Sequence, residues 1–290
     1  MTRIADLLAA GPTYSFEFFP PKSDAEQATL ARTLADLQPL APSFVSVTYR
    51  GGPASRQRTY DLVTGMLHAT SLVPMAHLIC VAHSRLELAE ILVAYRRAGV
   101  ENLMALGGDP PVDGGPGELG HAVELVELAR AVGGFSIGVA AHPAGHPSSP
   151  DLASDRRHLV RKLRLADFGV TQFFFDPAEY GRLVDELAAA GVTTPVLPGI
   201  MPVTALASIP KMATMGAPVP GPAVGRLEDA GRRGGAEAVR AEGIAMATEL
   251  CRGLLDLGAP GLHFYTLNRS NATRQIYRAL GLAPELSAAR

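Results

Sequence analysis

Short apolar runs recur along this chain, each bounded by turn residues and separated from the next by a stretch with helical spacing of its apolar positions. The runs are Tyr14 to Phe18, Phe44 to Thr48, Pro74 to Cys80, Asn102 to Leu106, Phe135 to Ala141, Gly169 to Phe175, Pro195 to Ile200 and Gly261 to Tyr265. Their length predicts strands, and their near-continuous apolar character predicts that both faces are covered. The intervening pattern predicts amphipathic helices over Ala25 to Leu37, Leu86 to Ala98, Val123 to Ala131, Asp155 to Leu165 and Pro177 to Ala190, with Ala238 to Leu257 before the last strand. Eight strands alternating with helices give an α/β fold, a parallel (β/α)8 TIM barrel, as one catalytic domain over residues 1–290. In such a barrel, ligand chemistry sits at the carboxyl ends of the strands. The Pro- and Gly-rich stretch Met215 to Gly235 reads as a long loop before the last helix, of the kind that serves as a lid or an oligomer contact.

Composition narrows the class of partner. The chain has 290 residues, 47% of them hydrophobic, and a formal net charge of -2, so it carries no electrostatic footprint for nucleic acid or an anionic membrane. Arg232-Arg233 is too small a basic cluster to change that. No apolar run is long enough to span a bilayer, and the N-terminus has no signal-peptide pattern, so a cytoplasmic protein is expected. Cys80 and Cys251 lie in separate apolar contexts and read as reduced core thiols. A homo-oligomer is compatible with this surface. About twenty residues follow Asn268-Arg269, so no fused regulatory domain is expected after the barrel.

The candidate chemistry begins in the first strand. Tyr14-Ser15-Phe16-Glu17-Phe18-Phe19-Pro20-Pro21-Lys22 places one carboxylate in an apolar run that would otherwise be buried on both faces. An unpaired carboxylate there costs several kcal/mol, so Glu17 reads as chemistry. Further polar groups fall at the ends of other strands: Thr48 and Tyr49, His77, Asp109, His142 and His146, Gln172, and Tyr265 to Arg269. Gly115-Pro116-Gly117-Glu118-Leu119-Gly120 matches a dinucleotide fingerprint by letter, but its strand ends upstream at Leu106, and it reads as a mobile glycine loop. His142 and His146 have the spacing of a zinc pair, yet the Pro and Gly around them break the helix such a pair needs; no metal is assigned.

Five segments together resemble the methylenetetrahydrofolate reductases, flavoproteins of one-carbon metabolism built on a (β/α)8 barrel. They are the Ser15 to Lys22 run, Phe44 to Tyr49, Ala105-Leu106-Gly107-Gly108-Asp109-Pro110-Pro111, Thr171 to Asp176, and His263-Phe264-Tyr265-Thr266-Leu267-Asn268-Arg269, in the family's order and spacing across nearly the whole chain. The resemblance implies NAD(P)H-dependent reduction of 5,10-methylenetetrahydrofolate to 5-methyltetrahydrofolate through bound FAD, a step that feeds methionine biosynthesis. It implies that Glu17 is the general acid, with a pKa expected to be raised by Phe16, Phe18 and Phe19. Asp109 is implied to face both flavin and folate as a fixed negative charge. Gln172, Ser208, Tyr265 and Arg269 are implied to bind the folate. Thr48, Tyr49, Gly51, His77, Gly107, Gly108, Asp109, Ala122, His142, His146, Asp155, His158, Arg161 and Lys162 are implied to hold the cofactor, with 155, 158 and 162 on one helix face.

Four positions depart from the family pattern. Gly107 stands where many members have arginine, His121 and His142 where aromatic residues are usual, and Ser208 where a glutamine contacts folate. These departures keep two alternatives open: a flavin-independent reductase with direct hydride transfer from NADH, and a catalytically silent folate- or flavin-binding barrel. A proline-oxidising flavin barrel is a more distant alternative.

Overall fold

The computed structural model describes residues 2–49, 52–109 and 117–283. Its elements run α1 (Ile4–Ala10), β1 (Thr13–Phe18), α2 (Asp24–Leu37), β2 (Phe44–Val47), α3 (Pro53–Ala69), β3 (Pro74–Ile79), α4 (Arg85–Arg97), β4 (Asn102–Leu106), α5 (Ala122–Val132) and β5 (Ser136–Ala141). They continue with α6 (Leu152–Leu165), β6 (Phe168–Phe173), α7 (Pro177–Ala189), β7 (Val196–Ile200), α8 (Ile209–Thr214), α9 (Gly221–Asp256), β8 (Gly261–Tyr265) and α10 (Asn271–Ala279). The strands are parallel and close into a barrel in sequence order, with β1 paired to both β2 and β8. Every predicted strand is present with ends within two residues of the apolar runs.

Alternation along each strand sorts the side chains into two layers. Phe16 and Phe18 point outward into the layer between barrel and helices, where Phe16 packs on Phe264 and Tyr277. The inward positions are apolar in the lower barrel, where Phe44, Met75, Met104, Phe168 and Leu197 form one cluster with Ile4 of α1. Short α1 closes this end: the Ile4 amide donates to Asn102 Oδ1 at 2.8 Å and the Ala5 amide to Ser136 Oγ at 3.1 Å. With the lower end filled and its polar groups bonded to α1, the inward polar side chains left to meet a ligand lie at the carboxyl end.

The stretch 215–235 corrects the sequence reading. It is mostly helical, because α9 begins at Gly221 and bends at Gly234 and Gly235, the latter with φ 64°. Arg226 reaches back to Glu242 at 2.7 Å and Glu249 at 2.8 Å, so the two halves lie side by side as a hairpin. Seven glycines in this helix depress its intrinsic propensity, which is why the composition reads as loop. Burial of Leu227 and Val239 against Phe173, Met201 and Val203 supplies the stability that propensity lacks. Helices α1, α3, α8 and α10 also lie outside the predicted set.

The end of β8 is fastened to the end of β1 by one side chain. Asn268, with φ 55°, accepts from the Phe19 amide at 2.8 Å and donates to the Phe19 carbonyl at 2.9 Å, as a paired strand would. Asn268→Ala is expected to cost about 2–3 kcal/mol in urea unfolding, since two backbone groups lose their partners and Ala tolerates the left-handed backbone poorly. Among the described residues no helix is long and apolar enough to cross a membrane.

Candidate active site

The carboxyl end of the barrel gathers a buried polar cluster around Glu17. Register places Glu17 beside Ser46 on β2 and Tyr265 on β8, and its side chain turns inward. Ser46 Oγ donates to Glu17 Oε2 at 3.4 Å, and His263 Nε2 lies 3.5 Å from the same oxygen. His263 Nδ1 is in turn hydrogen-bonded to Ser15 Oγ at 2.7 Å, forming a buried chain Ser15–His263–Glu17. His77 Nε2 approaches the same oxygen at 3.5 Å without a hydrogen bond.

These neighbours reverse the expected pKa of Glu17. Burial pushes the carboxyl up, but the His263 hydrogen bond, the nearby imidazoles and the Ser46 hydroxyl together pull it below the ordinary carboxylate value. The aromatic residues adjacent in sequence do not surround it, because Phe16 and Phe18 occupy the opposite face of the strand. Burial also pushes His77 down, more strongly than Glu17 holds it up. Near neutral pH His77 is therefore uncharged, and the carboxylate is held chiefly by hydrogen bonds from His263 and Ser46. Sequence reasoning named neither His263 nor Ser46 as a site residue. The available signal was spacing: His263 stands two residues before Tyr265 and shares its face.

Tyr265 donates its hydroxyl to the Thr171 carbonyl at 2.7 Å, and its ring meets His263 edge-on at 5.3 Å. Burial, with Glu17 nearby, holds this phenol well above its ordinary value. Thr48 Oγ1 and His77 Nε2 are buried polar atoms without hydrogen-bond partners. Such atoms at a strand end are suited to a ligand. Tyr49 turns the other way, into the outer layer, where its hydroxyl binds His83 Nε2 at 2.7 Å and burial pushes its pKa up to about 12.

A second group lies between β5 and α6. Asp155 is buried, accepts from the His146 amide at 3.0 Å and pairs with Arg156 at 3.0 Å. Lys162 donates to the Ala140 carbonyl at 2.8 Å, and burial lowers its pKa. His142 meets the His146 ring edge-on at 4.7 Å. His158 is exposed and stacks on His121, the residue before Ala122 at the start of α5. Arg161 leaves this group, being exposed and paired with Glu127 at 3.1 Å.

Burial, with His146 and Lys162 nearby, pushes His142 down to about 4. A depressed imidazole pKa means the fold prefers neutral His142, so its stabilisation is complete above about pH 6.5 and is lost as pH falls toward 4. His142→Phe is expected to flatten the decline in stability across that window by about 2 kcal/mol, measured as the urea midpoint at successive pH values.

The remaining positions are less gathered. Gly108, φ 89°, packs its Cα where a Cβ would lie 2.5 Å from Val81 Cγ2, while a Cβ on Gly107 would meet open space. Asp109 follows, exposed at the end of the described segment. Gly51 and Gly115-Pro116 lie outside the described residues. Gly117 and Glu118 rest on the β3–α4 turn, where the Glu118 amide donates to the His83 carbonyl at 2.9 Å. Gln172 donates to the Met215 carbonyl at 3.0 Å and lines a cavity of about 170 Å3 with His142, Pro143, Phe173, Phe175 and Glu179. Ser208 bonds its own turn through the Ala205 carbonyl, and Arg269 is exposed.

Comparison with known proteins places this barrel. The family model described as methylenetetrahydrofolate reductase matches residues 2–281. The chain belongs to that family. It is 35% identical over 275 residues to the 5,10-methylenetetrahydrofolate reductase of Pectobacterium carotovorum, covering 94% of this chain and 91% of that one. The Escherichia coli protein of the same name is 36% identical over 274 residues, covering 94% and 92%. The Arabidopsis thaliana relative named methylenetetrahydrofolate reductase (NADH) 1 is 31% identical over 310 residues; the match covers 99% of this chain but 52% of that one. In family terms the chain is therefore an oxidoreductase. The fold is also that of a solved Clostridium thermocellum protein, titled as binding two copies of 5-methyl-5,6,7,8-tetrahydrofolic acid, at TM-score 0.66 and 11% identity over 97% of both chains.

Proposed function

We propose that the protein reduces 5,10-methylenetetrahydrofolate to 5-methyltetrahydrofolate, with NADH or NADPH as reductant and FAD as the bound carrier. The observation that carries this reading is the buried Glu17 carboxylate at the barrel mouth, joined to a histidine and a serine in a chain able to move a proton. The residues fit a flavin. Thr48 and His77 offer unpartnered buried polar atoms, Gly107 and Gly108 form a turn at the rim, and Asp155, His158 and Lys162 line one face of α6. FAD, when bound, supplies hydride transfer between nicotinamide and folate.

Glu17 then has one task, to protonate the bridging nitrogen of the folate so that its five-membered ring opens to an iminium ion. In the free protein the carboxyl is ionised near neutral pH, so the proton must be delivered. His263 is placed to carry it on Nε2, with Nδ1 fixed by Ser15. A ligand covering the mouth excludes water, which favours the neutral form of the Glu17 carboxyl. Asp109 provides a fixed negative charge for the cationic iminium, and Gln172 presents an amide to the pterin edge. Asp109→Asn is expected to slow folate reduction about tenfold in single-turnover mixing, leaving flavin affinity within about twofold.

We read the protein as a cytoplasmic, one-domain enzyme of one-carbon metabolism. Product analysis tests the reading: purified protein with FAD, NADH and 5,10-methylenetetrahydrofolate should accumulate 5-methyltetrahydrofolate without oxygen. NADH consumption without that product, or none at all with either nicotinamide, would count against it.

A further inference from the structure

The segment joining β5 to α6, His142-Pro143-Ala144-Gly145-His146-Pro147-Ser148-Ser149-Pro150-Asp151, contains turns but no helix or strand. It carries His142 and His146 and leads into Asp155, three of the positions on which the flavin reading rests. Its own backbone bonds are short-range, from the Gly145 amide to the His142 carbonyl at 3.0 Å and from the Ser149 amide to the His146 carbonyl at 2.9 Å. Local turns of this kind leave the placement of the segment on the barrel to side chains.

One arginine supplies most of that placement. Arg156 donates from Nη1 to the His142 carbonyl at 2.9 Å and from Nη2 to the Pro143 carbonyl at 2.6 Å. Nη1 also meets Asp155 Oδ2 at 3.0 Å, and Nε donates to Glu186 Oε2 on α7 at 2.5 Å. Asp155 completes the clasp through its other oxygen, Oδ1, which accepts from the His146 amide at 3.0 Å and from Ser149 Oγ at 3.3 Å. Two adjacent side chains thus tie both ends of the segment to α6 and α7.

Stability alone does not call for an arginine here. Its side chain is only 13% exposed, and buried ion pairs are often replaced by apolar side chains without loss of stability. An apolar residue cannot hold two carbonyls and a carboxylate in the plane of one guanidinium. Charge points the same way. Lys162 lies close enough to Asp155 for their charges to act on each other. With Arg156 present, two cations meet the carboxylates of Asp155 and Glu186; without it, two carboxylates would face one cation at a rim that receives a diphosphate.

Resting on the FAD reading, we propose that Arg156 is a positioning residue for the cofactor, holding the β5–α6 segment and the Asp155 carboxylate in the arrangement that receives FAD. Ordering the segment in advance lowers the cost of binding, so the effect falls on affinity and not on the rate of the bound flavin.

The test is titration of the full-length protein with FAD, followed by quenching of flavin fluorescence, in the unaltered chain and in the Arg156→Met, Arg156→Lys, Asp155→Asn and Asp155→Asn/Arg156→Met variants. Urea unfolding of each confirms that the titrated protein is folded. Arg156→Met should raise the FAD Kd about thirtyfold, while the rate at which NADH reduces bound flavin at saturating FAD stays within about twofold. Arg156→Lys keeps the charge but not the fork, and should recover most of the affinity, to within about fivefold of the unaltered chain. The double variant should bind no more than about threefold worse than the weaker single variant, since both residues act through one clasp.

A lowered urea midpoint with unchanged Kd would assign Arg156 to the fold alone and overturn the proposal, as would losses that multiply in the double variant. If Arg156→Met does not fold, Arg156→Lys decides: a Kd raised about two- to fivefold supports the clasp, and a Kd equal to that of the unaltered chain overturns it. Failure of the unaltered protein to bind FAD at about 0.1 mM overturns the flavin reading and this proposal with it.

Discussion

Glu17→Gln is expected to leave reduction of bound flavin by NADH within about twofold and to slow reduction of 5,10-methylenetetrahydrofolate about a thousandfold, the scale of losing a positioned acid. The amide keeps the shape of the carboxyl, and its oxygen can still accept from Ser46 and face His263. It cannot give up a proton to the folate nitrogen. Anaerobic stopped-flow mixing separates the two half-reactions. An equal fall in both would mean that Glu17 is needed for the shape of the mouth and not as the acid. His263→Gln should follow the same pattern more weakly, since it removes the donor behind Glu17 without touching the reacting nitrogen.

The second large effect concerns stability. Gly199 lies on β7 where a Cβ would sit 2.3 Å from the Thr171 carbonyl oxygen and 2.5 Å from Tyr265 Cε2. The first neighbour is backbone and cannot swing away. Gly199→Ala must therefore push β6 from β7 or expel the Tyr265 ring, breaking its hydrogen bond to Thr171. A loss of roughly 3 kcal/mol is expected, or about 6–10 °C in Tm. Gly65→Ala provides the contrast, since a Cβ there meets nothing within 4 Å in the middle of α3. That change should stabilise by about 0.5–1 kcal/mol. Equal effects from the two substitutions would mean that contact at Gly199 does not limit the barrel.

The barrel was legible because strands covered on both faces leave near-continuous apolar runs, and each of the eight runs lies where a strand forms. A carboxylate inside such a run was legible as costly, and Glu17 is indeed buried at 7% exposure. Its surroundings were not legible, because sequence neighbours of a strand residue point the other way. Phe16 and Phe18 suggested an apolar pocket, whereas Ser46, His77 and His263 come from strands distant in the chain and meet Glu17 only through closure and register. That is why the direction of the pKa shift came out opposite to expectation. The 215–235 stretch failed for a different reason: Gly and Pro advertise a loop, and only tertiary packing around Leu227 and Val239 makes the segment helical. On α6, helical spacing grouped Asp155 with Lys162, and both reach the β5 end. Arg161 turned instead toward α5.

The account depends on one protonation coupled to one hydride transfer at the mouth of the barrel, and its most direct test is sequential anaerobic mixing. Protein loaded with FAD is mixed first with NADH and then with 5,10-methylenetetrahydrofolate, while the visible flavin band is followed. The account predicts that NADH bleaches the band and that folate restores it with stoichiometric 5-methyltetrahydrofolate. A band that NADH bleaches but folate leaves bleached, in protein whose Glu17 is intact, would contradict it.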